Sequence, residues 1–150
     1  MTHTFAIISA ELAGLTVAQN ALRSEQLRER LSYTWMGTFP VSGCYKGTRE
    51  RACLVPLLHT GRVSRQLLPD SISEQLRRLR TIGAFYGQES ILYVAPDYSA
   101  HLHYCDGARV EPLGRWVETD RATAEARDSF TTYTSGITCG ARYFVTDAPT

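Results

Sequence analysis

"ESILYVAPD", residues 89–97, is an apolar run of strand length, and its place in the chain matters more than its composition. It completes an order of strand, helix, strand, strand, helix, strand. That order is the ferredoxin-like split βαβ arrangement, in which helices pack on one face of an antiparallel sheet, so the expected class is α+β. The opposite sheet face then needs cover, from added strands or from a partner subunit.

The elements before this strand follow from local signals. "TFAIISA" (4–10) is a first strand. Thr16 stands three residues before Gln19, a capping-box spacing, which predicts a helix from about Val17 to Leu31. Its expected apolar stripe is Val17, Ala21 and Leu31 with Ala18 and Leu22, and Arg23, Glu25, Arg28, Glu29 and Arg30 form the expected wet face. "WMGTFPVSGCY" (35–45) and "RACLVPLLH" (51–59) read as a hairpin whose prolines, Pro40 and Pro56, suggest an edge or a bulge. A basic connection, "TGRVSRQLLP" (60–69), leads to a second helix capped by Ser71 with Glu74 three residues on. Ile72, Leu76, Leu79 and Tyr86 make its core stripe around Gly83, while Arg77, Arg78 and Arg80 face water. Beyond residue 97, the Asp106-Gly107 pair signals a further hairpin, "TDRATAEARDSF" (119–130) a short helix or loop, and "ARYFVT" (141–146) a last strand.

Composition narrows the function classes. At 150 residues the chain is expected to form a single domain over 1–150. Sixteen basic residues against fifteen acidic ones offer no clustered positive charge for nucleic acid. No apolar run approaches the roughly 18 residues of a membrane span, and the N-terminus lacks a signal-peptide pattern, so a soluble cytoplasmic protein is expected. Cys44, Cys53, Cys105 and Cys139 include no C-x-x-C pair and read as reduced thiols.

Phosphate-binding glycine loops, G-x-S-x-G elbows and H-E-x-x-H helices are absent from the sequence. His101 and His103 share a strand side without a third ligand spaced nearby, so no metal is expected. What remains near strand ends is a set of carboxylates, aromatics and one amide: Tyr45, Glu50, Tyr86, Gln88, Glu89, Glu111, Trp116 and Glu118. Such a set suits a small cationic or aromatic ligand. On spacing alone, Tyr45 also reads as a structural tyrosine and Glu50 as the ionic partner of Arg49 or Arg51.

Five segments in order then carry a resemblance: "IISAE" (7–11), "SGCYKG" (42–47), "ERACLV" (50–55), "GQESILYV" (87–94) and "ARVEPLGRWVE" (108–118). With them the chain resembles the small phage enzymes that degrade S-adenosylmethionine, first described as hydrolases and later as lyases. Relative to that pattern, the turn between Tyr45 and Glu50 is shorter and the link before the second helix is longer.

The resemblance implies Glu50 and Tyr45 as the catalytic pair, with Ser9, Ala10, Gln88 and Glu89 lining the substrate pocket. It implies no cofactor, since S-adenosylmethionine is itself the substrate, and a PII-like fold assembled as a homotrimer with sites at subunit contacts. The implied reaction yields 5′-methylthioadenosine and homoserine lactone, and in a phage it would deplete the methyl donor used by host restriction systems. Three other readings stand beside it: a hydrolase releasing homoserine, a non-catalytic PII-like ligand sensor, and a protein that blocks a host enzyme through its surface.

Overall fold

A computed structural model describes residues 4–35, 37–45, 47–57, 71–127, 129–133 and 141–147. β1 (Thr4–Ser9) leads into α1 (Val17–Ser32), the hairpin of β2 (Phe39–Tyr45) and β3 (Thr48–Leu57), α2 (Ile72–Phe85) and β4 (Ser90–Val94). β5 (Ser99–Tyr104), β6 (Val110–Thr119), the short α3 (Arg121–Glu125), β7 (Phe130–Tyr133) and β8 (Arg142–Asp147) follow. The 60–69 connection and Cys139 lie outside the described residues.

The expected ferredoxin-like or PII-like sheet, open and carrying two helices on one face, is not what forms. The described strands close into an antiparallel barrel in the order β1-β3-β2-β7-β8-β6-β5-β4. In an open four-stranded sheet β2 and β4 would be edges with unpaired backbone groups. Here Ser42, Gly43 and Cys44 of β2 pair with Thr132, Thr131 and Phe130 of β7, and β4 pairs along its length with β5. Closure removes both edges.

Side-chain alternation explains why closure is favoured. Ala6 and Ile8 of β1 point outward into a core shared with Leu27 and Leu31 of α1 and Leu76 and Leu79 of α2. Phe5 and Ile7 point the other way, into the barrel. There Phe5 meets Trp116 of β6 edge-on at 5.5 Å, a contact across the interior between strands that are not neighbours. The inner face is therefore covered by β5 to β8 of the same chain. The geometric argument for a partner subunit on that face falls away.

Details of α1 depart from expectation in two respects. Thr16 and Gln19 do form the capping box, with reciprocal bonds of 3.1 and 2.9 Å. The buried face of α1 is Leu27 and Leu31, however, while Val17 and Leu22 are 79% and 61% exposed. Arg23 is no solvated charge: its Nε donates to the Ala10 carbonyl at 2.7 Å, and its guanidinium bonds the Tyr86 carbonyl and lies over the Tyr86 ring. This ties α1 to the end of β1 and to the end of α2. Gly83 of α2 lets the helix approach β4 closely, since a Cβ there would meet Cys105 Sγ at 2.7 Å and Ile91 Cγ2 at 3.4 Å.

Where α1 ends, Trp35 Nε1 donates to Gln75 Oε1 at 3.1 Å, with both residues buried. Removing the acceptor strands a buried N–H. Gln75→Leu is expected to lower stability by about 1–3 kcal/mol in urea unfolding, and an unchanged midpoint would show that the bond is dispensable.

Candidate active site

An eight-stranded barrel has an interior just wide enough to be filled by side chains or to hold one small ligand. Here it keeps a cavity of about 360 Å³. Ile7, Leu92, Leu102, Leu113, Trp116 and Phe144 line it with apolar surface, and Trp116 stacks on Phe144 at 5.2 Å with the rings 12° from parallel. At one end the lining turns polar, with Ser9, Glu11, Tyr45, Glu50, Gln88 and Glu89.

β-Sheet register brings this polar end together. Glu50 of β3 lies opposite Gly43 of β2, and Ser9 of β1 lies opposite Ala52 of β3. A Cβ at Gly43 would sit 3.7 Å from Glu50 Cγ, an ordinary van der Waals contact, so strand register alone sets Glu50 at this end. Tyr45 stands at the end of β2, about half exposed. Gln88 reaches across from the approach to β4 and donates from Nε2 to the Glu11 carbonyl at 2.8 Å. Ser9 Oγ donates to the Arg51 carbonyl at 2.8 Å and accepts the Glu11 N–H at 3.1 Å.

The structure thus gathers Tyr45, Glu50, Ser9, Gln88 and Glu89 around one cavity. Ala10 is placed differently: it is fully buried in the core behind the wall. Trp116 lines the cavity as well. Glu111 accepts the Tyr104 hydroxyl at 2.6 Å, Glu118 holds Arg142 at 2.7 Å, and Tyr86 belongs to the helical core. Glu50 is not the partner of its sequence neighbours. Arg49 lies 4.0 Å from Glu125, and Arg51 lies 4.0 Å from Glu11.

Glu11 is the residue that sequence reasoning did not single out, although it closes the quoted "IISAE" segment. Its carboxylate accepts the Arg51 backbone N–H at 3.0 Å and faces the same cavity end as Glu50. Phe144 and Phe130 were also missed as lining residues, because only barrel closure brings β7 and β8 against β2 and β6. The acidic end of "IISAE" directly after an apolar strand was the one available signal for Glu11.

Electrostatics set Glu50 apart. Burial pushes its carboxyl above the usual value, the Glu11 charge pushes it further, and a hydrogen bond with the Ser9 side chain opposes both. The Cys53 thiol is also pushed up by burial, against a smaller effect of Arg28, which disfavours the reactive thiolate. His101 and His103 instead pack against the Tyr93 ring, at 6.4 and 5.5 Å between centroids. Among the described residues, no three metal-ligating groups cluster.

A half-buried carboxylate beside a second carboxylate, at the acidic end of an aromatic-lined chamber, fits a cationic ligand with a flat apolar part. The family model described as the S-adenosylmethionine lyase family matches residues 6–146. The chain belongs to that family. No curated protein gave a match. The match spans every strand of the barrel apart from the outermost residues of β1 and β8, so the family assignment covers the cavity and both of its ends. A lyase acting on S-adenosylmethionine is therefore the enzyme class of this protein.

The charge environment of Glu50 makes a stability prediction. A carboxyl whose value is raised on folding binds its proton more tightly in the folded state. Stability is then lost as pH rises from the ordinary value of 4.5 through the raised one. Glu50→Gln should therefore melt higher than the wild type at neutral pH, with the gap closing on acidification below 4.5. Thermal melts that show no gap, or a gap that widens in acid, would contradict the electrostatic assignment.

Proposed function

We propose that the barrel cavity binds S-adenosylmethionine with its cationic end at Glu50 and its adenosyl group against Trp116 and Phe144. The observation that carries this reading is the meeting of a desolvated, charge-crowded carboxylate with an aromatic chamber. The substrate has the matching features: a sulfonium and an α-ammonium at one end and a flat purine at the other.

The reaction is an internal displacement. An oxygen of the substrate's own carboxylate attacks the γ-carbon, a C–O bond forms, and the Cγ–S bond breaks with its electron pair going to sulfur. The products are neutral 5′-methylthioadenosine and homoserine lactone, and no proton moves. Sulfonium is already a good leaving group, so the protein's task is conformational: the tail must be folded until oxygen, carbon and sulfur are in line at near-attack distance.

The site's residues suit that task. Glu50 holds the cationic part of the folded tail and leaves the attacking carboxylate free. Tyr45 flanks the same end and limits water there. Ser9 Oγ bonds the Arg51 carbonyl and the Glu11 N–H and so fixes the strand ends. Lyase rather than hydrolase chemistry is favoured by the family match. The homotrimer, the phage setting and the counter-defence role are part of this reading on the resemblance alone.

Proton NMR of S-adenosylmethionine incubated with the protein tests the reaction. Homoserine lactone should appear first, together with 5′-methylthioadenosine, and Glu50→Gln should slow its appearance about 100-fold or more while remaining folded. Homoserine as the first product would place the enzyme with the hydrolases, and intact substrate would overturn the reading.

A further inference from the structure

Glu11 directly follows Ala10 at the end of β1, and four bonds fix the ground around it. Its N–H donates to Ser9 Oγ at 3.1 Å, and its carbonyl accepts Gln88 Nε2 at 2.8 Å. Its Oε2 accepts the Arg51 N–H at 3.0 Å, and Ser9 Oγ closes the loop on the Arg51 carbonyl at 2.8 Å. The two residues of the site that contact it, Ser9 and Gln88, both bond to its backbone. Its side chain is only 14% exposed.

Such a carboxylate would ordinarily be neutralised by a close cation. The cation beside Glu11 is Arg51, whose Nε is 4.0 Å away on a side chain 61% exposed to water. Pairing at that distance and exposure is heavily screened. The Glu11 charge is instead felt by Glu50, at the same end of the cavity. Two carboxylates crowded at the end of a partly dry chamber repel each other, a cost that a bound cation reverses.

We propose that Glu11 is a specificity-determining residue of this cavity: with Glu50 it makes the site select the sulfonium substrate over the uncharged thioether that otherwise shares its structure. The proposal rests on the reading of S-adenosylmethionine as substrate. That substrate and S-adenosylhomocysteine differ by one methyl group and one positive charge at sulfur. The aromatic walls contact both in the same way, so discrimination falls to the acidic end. The same arrangement favours product release, because sulfur becomes neutral as 5′-methylthioadenosine forms.

The test compares KM for S-adenosylmethionine with the inhibition constant of S-adenosylhomocysteine in the wild type and three variants. Glu11→Gln keeps an acceptor for the Arg51 N–H and removes the charge. It should shrink the preference for the sulfonium about tenfold, a modest share of what one charge at contact distance can contribute at an effective dielectric constant of about 20. Glu11→Asp should restore the preference. Arg51→Gln, which removes the partial counter-charge from an exposed position, should increase it. A Glu11→Gln protein with wild-type turnover and a preference within about twofold of wild type would overturn the proposal alone. If that variant does not fold, an Arg51→Gln protein with unchanged preference overturns it. Wild-type protein that leaves S-adenosylmethionine intact would bring down the underlying reading with it.

Discussion

β1 carries apolar side chains on both faces: Ala6 and Ile8 toward the helices, Phe5 and Ile7 toward the barrel interior. Helices can cover one face of such a strand. The second face needs a second layer, and β5 to β8 provide it by continuing the sheet until it closes on β2. Closure does two things at once. It buries the inner face and removes the backbone edges of β2 and β4, and the space left over becomes the cavity.

The polar end of that cavity is a consequence of strand register. Glu50 enters it from its place on β3 opposite Gly43, and Glu11 enters it because β1 ends beside Arg51. Burial and the Glu11 charge both act against the charged form of Glu50. On the proposed reading, a cationic ligand would relieve this crowding. The stacked pair of Trp116 and Phe144 would give the same ligand a surface for its flat, uncharged part.

Much of the local structure was legible in the sequence. Thr16 with Gln19 and Ser71 with Glu74 marked both helix starts, and Asp106-Gly107 marked the β5–β6 turn. The closed barrel was not legible, for a physical reason. Strand order through β4 is compatible with an open sheet, and the decision lies in pairings between residues far apart in the chain, such as Gly43 with Thr131. β7, four residues that start where a stretch read as helix or loop ends, has too little pattern of its own to be seen. The site divided along the same line. Tyr45, Glu50, Ser9, Gln88 and Glu89 sit on or beside strands whose motifs could be quoted. Phe130 and Phe144 depend on the closure itself, and Ala10 shares a motif with Ser9 but alternates to the opposite face.

A crystal structure of the Glu50→Gln protein soaked with S-adenosylmethionine tests the central claim most directly. The account predicts ligand inside the barrel, purine against Trp116 and Phe144 and sulfonium at the end marked by residues 11 and 50. The chain has another concavity of similar size, about 370 Å³, between α1 and the β2–β3 hairpin, lined by Leu27, Arg28, Val41 and Cys53. Ligand seated there, with the barrel interior unchanged, would contradict it.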